Sequence, residues 1–494
     1  MAMAATDSID PPRNAATAVS SRRLGGNIGA FELVCTVLAY NGPIVVFLGF
    51  VPVAILLGNG IGMPVTIAAC GVVITCLAVG LTTMARKLPT PGGFYAFISA
   101  GLGKIVGLSA GLTAMMCYYV ACISAYALGG IAMRALMADV VHGPNLPWWA
   151  WALAMFVVVA VLGYFKISLS AKVLSFFLTC ELLFLVVYDV AVLAHGGADG
   201  IALDSLQPNE IFSGSVGIAF MFALGLFGGF EATVIFRDEV RDPMKTIPRA
   251  TYAVVALLAG LYAITTWVFI NSYGAAEVVA AVTEDPTKAA TASVKEYVGT
   301  FAYDVAALLL FTSCFALVLA SHNITARYAF NLSADRILHH SLSRVHGKHL
   351  SPHRASLAMT GATLVGLIAV VVVDIDEALL YGRLAGLYSY TFLILLLMVA
   401  IAIAVYLLRH REDGESPVPA VLTTASAIVV AIVLYLATVN FDLLTGATGS
   451  TAVAMLAVIY GVVVIGLVTA GVYRRRRPDV YARIGREEPE VDPD

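Results

Sequence analysis

The chain has 494 residues, 60% of them hydrophobic and 12% charged, with a formal net charge of -3. Soluble globular proteins are about a quarter charged, so a soluble enzyme and a nucleic-acid-binding protein are excluded. A β-barrel is excluded as well, because barrels carry short alternating strands and these apolar stretches are long and continuous. All seven cysteines (Cys35, Cys70, Cys76, Cys117, Cys122, Cys180 and Cys314) fall inside apolar stretches. There they read as small buried hydrophobes, with no disulfide framework or zinc spacing, and no cofactor is implied.

Residues 1–27 are rich in Ala, Ser and Asp, lack an apolar core and end near Arg22 and Arg23. They read as a disordered cytosolic tail and not as a cleaved signal. Apolar runs then follow near 28–57, 63–85, 104–138, 148–165, 170–194 and 214–236, and again near 250–272, 301–332, 355–373, 378–408, 418–440 and 451–473. A helical crossing needs about 20 apolar residues, so the pattern predicts an all-α polytopic membrane protein with twelve transmembrane helices, numbered here as runs one to twelve.

If every run crosses, 25 of the 29 Lys and Arg residues fall on one side, and only Arg134, Lys288, Lys295 and Arg383 lie elsewhere. The positive-inside rule then places both termini in the cytoplasm of a cell-membrane protein. Arg474 to Arg477 close run twelve against anionic lipid, ahead of a C-terminal cytosolic tail over 474–494.

Run one is too long for one straight crossing: about 30 residues at 1.5 Å rise is ~45 Å, against a hydrocarbon thickness of ~30 Å. Near its middle stands Tyr40-Asn41-Gly42-Pro43, and run six contains Gly225-Leu226-Phe227-Gly228-Gly229-Phe230-Glu231. Proline removes an N–H and glycine lets the backbone leave helical geometry. Either segment alone reads as an ordinary kink. Interruptions in the leading runs of two consecutive sets of five point instead to an inverted-repeat transporter with its site at the midplane.

The end of run six reads Gly229-Phe230-Glu231, followed by Asp242-Pro243 and Ile247-Pro248-Arg249-Ala250. With Pro89-Thr90-Pro91-Gly92-Gly93-Phe94-Tyr95 after run two and Asn323 to Arg327 and Ala334-Asp335-Arg336 after run eight, it resembles the amino acid/polyamine/organocation (APC) superfamily. In the family's last motif Arg and Asp stand in the opposite order. The resemblance covers runs one to ten. It implies a LeuT-type five-plus-five inverted repeat with discontinuous helices 1 and 6: a first repeat over 28–195, a second over 196–410, and two further helices over 411–473. It also implies a permease that moves an amino acid or organic amine by alternating access. Proton-coupled uptake is the expected mode, with a putrescine-type polyamine importer or an exchanger as alternatives and sodium as the other coupling ion.

Ala39, Tyr40, Asn41, Gly42 and Pro43 form one expected wall of the substrate site, with Phe227, Gly228, Gly229, Phe230 and Glu231 opposite. Many α-amino-acid carriers of the family hold the substrate carboxylate on free N–H groups at the run-one break. Here Pro43 removes one donor, the Asn41 amide offers a replacement, and the Tyr-x-x-Pro break is similar to that of putrescine-type importers. Glu231 is expected to sense a substrate ammonium or gate the pocket, or else to pair helices. Tyr118, Tyr119, Phe227 and Phe230 offer an aromatic wall to an organic cation, or simple packing.

By resemblance, Lys172 on run five replaces a sodium ion against the broken run one, although snorkelling to the interface explains its position equally. Ser313 and Ser321 on run eight are weaker candidates for the same coupling place. Glu32, Asp189, Asp304 and Arg383 lie near the ends of runs and are expected at the interface, whereas Glu181 has no role in this reading. The histidines between His339 and His353 lack an acidic or Cys partner in register for a metal. An intramembrane enzyme would need a nucleophile with a base or a helical metal pair, and a channel would need rings of charge; neither pattern is present.

Overall fold

The computed structural model describes residues 29–88, 93–165, 171–235, 240–344, 352–446 and 449–485. Every apolar run is helical within them. A helix satisfies its own backbone polar groups, the condition for passing through hydrocarbon. Among the described residues nine helices are long and apolar enough to cross a membrane, and shorter apolar helices at Pro43–Leu57, Trp148–Tyr164 and Val216–Gly225 belong to runs one, four and six. Prolines stand in the first turn of Met63–Lys87, Pro243–Tyr273 and Val418–Val439, where the missing N–H has no helical partner to lose.

Run three (Lys104–Ala135) is the central post, packed against run eight (Thr300–Ala334), run ten (Glu377–Arg409) and run twelve (Ser450–Arg476). Small residues permit the close crossings. A Cβ added at Gly466 would lie 2.4 Å from the Ser109 Cα, and one at Gly101 would lie 2.1 Å from the Ala402 carbonyl oxygen. No larger residue fits either place without separating the helices. Outward-facing apolar side chains such as Val365, Val372, Tyr435 and Val458 suit lipid contact.

Two short elements pack at the Lys104 end of run three. After run two the chain forms the buried helix Phe94–Leu102, which packs on runs three and ten; Pro89 to Gly92 lie outside the described residues. Beyond run twelve the chain turns back as the helix Pro478–Arg483, with Val480 and Ile484 fully buried. The Gly485 N–H donates to the Tyr95 hydroxyl at 2.9 Å, which donates to Asp335 Oδ2 at 3.0 Å. Lys104 donates to the Ala482 carbonyl. The segment expected to be a tail is therefore docked as far as residue 485. Burial pushes the Asp335 carboxyl up to about 6, against the opposing pull of Tyr95, the Gly485 N–H, Arg483 and Lys104.

The four basic residues expected apart from the rest each have a local partner. Arg134 pairs with Glu377, Lys288 with Asp285 at 2.9 Å, Lys295 stands 5.6 Å from the Tyr303 ring centroid, and Arg383 packs against Gly446. Of the acidic residues expected at the interface, Glu32 is exposed and accepts from the Gly29 N–H. Asp189 is instead buried and accepts a 2.8 Å bond from Thr265 of run seven. Six residues from the helix end is deep enough for a neighbouring helix to cover it. Of the histidine stretch, His346 and His349 lie outside the described residues, and no metal-binding group of His, Cys, Asp and Glu occurs among those described.

Candidate substrate site at the paired helix breaks

Run one is helical over Ala30–Asn41 and again from Pro43. Between the halves Gly42 adopts φ 63°, the left-handed region that an L side chain resists. The room is also taken: a Cβ on Gly42 would lie 2.8 Å from Ser313 Oγ. A helix start leaves N–H groups without partners. Pro43 has none to offer, so the first is that of Ile44, and it donates to Glu181 Oε2 at 3.1 Å. Glu181 projects from run five, is buried, and lies beside Ser313 of run eight. One carboxylate thus caps the second half of run one and ties it to run five, next to run eight.

Run six is helical over Val216–Gly225, then passes through tight turns with i→i−3 bonds from Phe227, Gly228 and Phe230, and resumes at Ala232. Gly229 supplies the left-handed corner at φ 99°. Glu231 fastens that corner: its Oε2 accepts from the Gly229 N–H at 2.9 Å and its Oε1 from the Tyr118 hydroxyl of run three at 2.6 Å.

Asn41 joins the two breaks. Its amide nitrogen donates to the carbonyls of Leu226, at 2.7 Å, and Gly228, at 3.2 Å, and its oxygen accepts from the Tyr262 hydroxyl of run seven. The Asn41 amide expected to replace a lost carboxylate donor is therefore committed to carbonyl groups.

Against this junction lies a cavity of about 60 Å³, lined by Asn41, Gly225, Leu226 and Gly228 from the breaks, by Ser124 from run three, and by Tyr381 and Tyr388 from run ten among others. Among the described residues its lining contains no Lys, Arg, Asp or Glu. The half-helix Val216–Gly225 ends beside this space, and its C-terminal end carries partial negative charge while the Gly225 carbonyl accepts from the Gly228 N–H at 3.1 Å.

Of the residues singled out in the sequence, Asn41 and Gly228 line the cavity, while Gly42, Pro43 and Gly229 shape its walls from behind. Tyr118 and Glu231 are bonded to each other beside it. Phe227 and Phe230 are fully buried away from it, Phe227 facing Gly71 and Phe230 with its ring 6.2 Å from that of Phe94. Tyr119 donates to the Ala362 carbonyl of run nine at 2.7 Å. Ser313 touches the run-one break. Ser321 is buried, its hydroxyl without a partner among the described residues. The side chains of Ala39, Tyr40 and Lys172 lie outside the described residues, although all three backbones are helical. Sequence reading passed over Ser124, Tyr262, Tyr381, Tyr388 and the place of Glu181. Tyr381, Ala385 and Tyr388 stand at i, i+4 and i+7 on run ten, a helical face that was available as a signal.

Residues 32–477 match the family model described as amino acid permease. Two mycobacterial relatives, uncharacterized transporters of Mycobacterium bovis and Mycobacterium tuberculosis, are each 27% identical over 347 residues, covering 70% of this chain and 73% of the relative. An uncharacterized transporter of Rhizobium meliloti is 24% identical over 348 residues, covering 68% of this chain and 71% of its own.

Proposed function

The chain belongs to the amino acid permease family, a family of transporters and not of enzymes, and from that premise we propose that it takes up an organic amine across the cell membrane by proton-coupled alternating access. In this reading all twelve runs cross, runs one to five and six to ten form the two inverted repeats, and both termini are cytoplasmic. The observation that carries it is the Asn41 junction, where two interrupted helices meet across one small cavity. Unwound backbone at such depth is tolerated where it lines a cavity or is buried, and paired breaks in corresponding places mark a transporter's site.

Charge favours an amine over an α-amino acid. The carbonyl end at Gly225 attracts an ammonium group. The positive end of the second half of run one, where a carboxylate would sit, already receives Glu181. Ser124, Tyr381 and Tyr388 supply hydroxyls for orientation. Lys172 remains the alternative coupling group, with sodium and exchange as the alternative modes. The test is uptake into proteoliposomes: an inward proton gradient is expected to concentrate amine without sodium. A strict sodium requirement would remove proton coupling, and uptake confined to α-amino acids would remove the substrate assignment.

A further inference from the structure

We propose that Glu181 carries the coupling proton: as a carboxylate it clasps the start of the outer half of run one, and as a neutral acid it lets that half go. This rests on the reading of the chain as a proton-coupled transporter and names the group on which the coupling acts.

The geometry joins what coupling has to join. Glu181 Oε2 accepts from the Ile44 N–H at 3.1 Å, immediately after the left-handed Gly42 and the donor-less Pro43. Ser313 of run eight lies beside the same carboxylate and also abuts Gly42. Run five, run eight and the hinge of run one therefore share one ionisable group, and Asn41 at that hinge lines the cavity. The titratable groups facing Glu181 are Tyr262 of run seven and Cys314 of run eight, both uncharged in their ordinary forms. Among the described residues Glu181 takes part in no ion pair. Lys172 begins the same helix nine residues earlier, about 13 Å along its axis. A single proton thus decides whether this junction is charged.

The step balances simply. One proton from the outer water bonds to a Glu181 carboxylate oxygen. The attraction between a negative charge and the positive end of a half-helix becomes a weaker bond to a neutral acceptor. The outer half of run one is then free to reseat around the substrate, and the proton leaves to the cytosol as the carboxylate returns to Ile44. A cap that only stabilises the fold would make the same contacts, so the test must read coupling and not activity alone.

Full-length protein in proteoliposomes is compared with Glu181→Gln, which preserves shape and an oxygen for the Ile44 N–H, and with Glu181→Asp, which preserves the charge. Glu181→Gln is expected to lose accumulation driven by a pH gradient by roughly tenfold or more, while counterflow exchange of labelled amine persists and no longer varies with pH. Glu181→Asp is expected to regain accumulation with a displaced pH profile. The proposal is overturned if Glu181→Gln accumulates substrate with the wild-type pH profile. It is equally overturned if that variant, shown to be folded by a ligand-induced melting shift, fails in exchange as well as accumulation. Should Glu181→Gln not fold, Glu181→Asp decides alone, and an unchanged pH profile counts against the proposal. Wild-type protein that exchanges an α-amino acid but no amine would refute the substrate reading, and the Glu181 comparison then runs unchanged with that amino acid.

Discussion

Tyr118 donates a 2.6 Å hydrogen bond to Glu231, whose second oxygen holds the N–H of Gly229 at the left-handed corner of run six. The carboxylate therefore relays the position of run three to the unwound backbone beside the cavity. Replacing Tyr118 by Phe leaves one buried oxygen without its donor, at a cost of about 1–3 kcal/mol. Thermal melting in detergent should show that loss of stability, and uptake should fall more than melting alone explains, because the corner is no longer anchored. A Tyr118→Phe protein with wild-type melting and uptake would show that the Tyr118–Glu231 bond does not anchor the corner.

A Cβ added at Gly228 would lie 2.0 Å from the Tyr388 hydroxyl oxygen, so that tyrosine would have to move out of its place beside the cavity. Gly228→Ala should abolish most uptake while leaving the protein inserted and folded. Adding Tyr388→Phe removes the obstructing atom and should restore part of it. Such a double-mutant cycle measures the coupling of the two residues directly, and strict additivity of the two losses would place the clash outside the transport path.

The docked C-terminal segment carries its own pH dependence. Burial raises the Asp335 carboxyl from 3.8 to about 6. The folded state thus holds a proton that the unfolded chain gives up between those values. This contribution to folding is full below pH 4 and lost as pH rises through about 6. Limited proteolysis near Arg483 should accelerate over that interval in wild type and show no such step in Asp335→Asn. An equal step in the variant would assign the titration to another group.

The proposed orientation rests on the placement of the basic residues, 25 of the 29 falling on one side if all twelve runs cross. A single cysteine at position 285, introduced into a protein lacking its native cysteines, should react with a membrane-impermeant reagent in intact cells. One at position 416 should react only after permeabilisation. The reverse pattern would invert the topology and, with it, the direction assigned to coupling.

Both breaks were legible in the sequence because their causes are local: Gly42-Pro43 and the glycines at 225, 228 and 229 disturb a helix wherever it sits. The partners of those breaks were not. Glu181 meets Ile44 across 137 residues of sequence, and nothing in run five marks the face that will turn inward. Phe227 and Phe230 stood beside the break in sequence, but the turns around Gly228 and Gly229 direct both rings into packing and leave the cavity to Tyr381 and Tyr388. Asp189, six residues from the end of its helix, was expected at the interface because distance from a helix end cannot show that Thr265 of a neighbouring helix covers it.

The central claim is that the cavity at the two breaks accepts an ammonium group and has no place for a carboxylate. Isothermal titration of the purified protein with matched pairs that differ only by that carboxylate, such as isobutylamine with valine and histamine with histidine, tests it most directly. At least one amine is expected to bind where its amino acid does not, and Gly228→Ala should abolish the heat. Binding of the amino acids with no response to their amines would contradict the account.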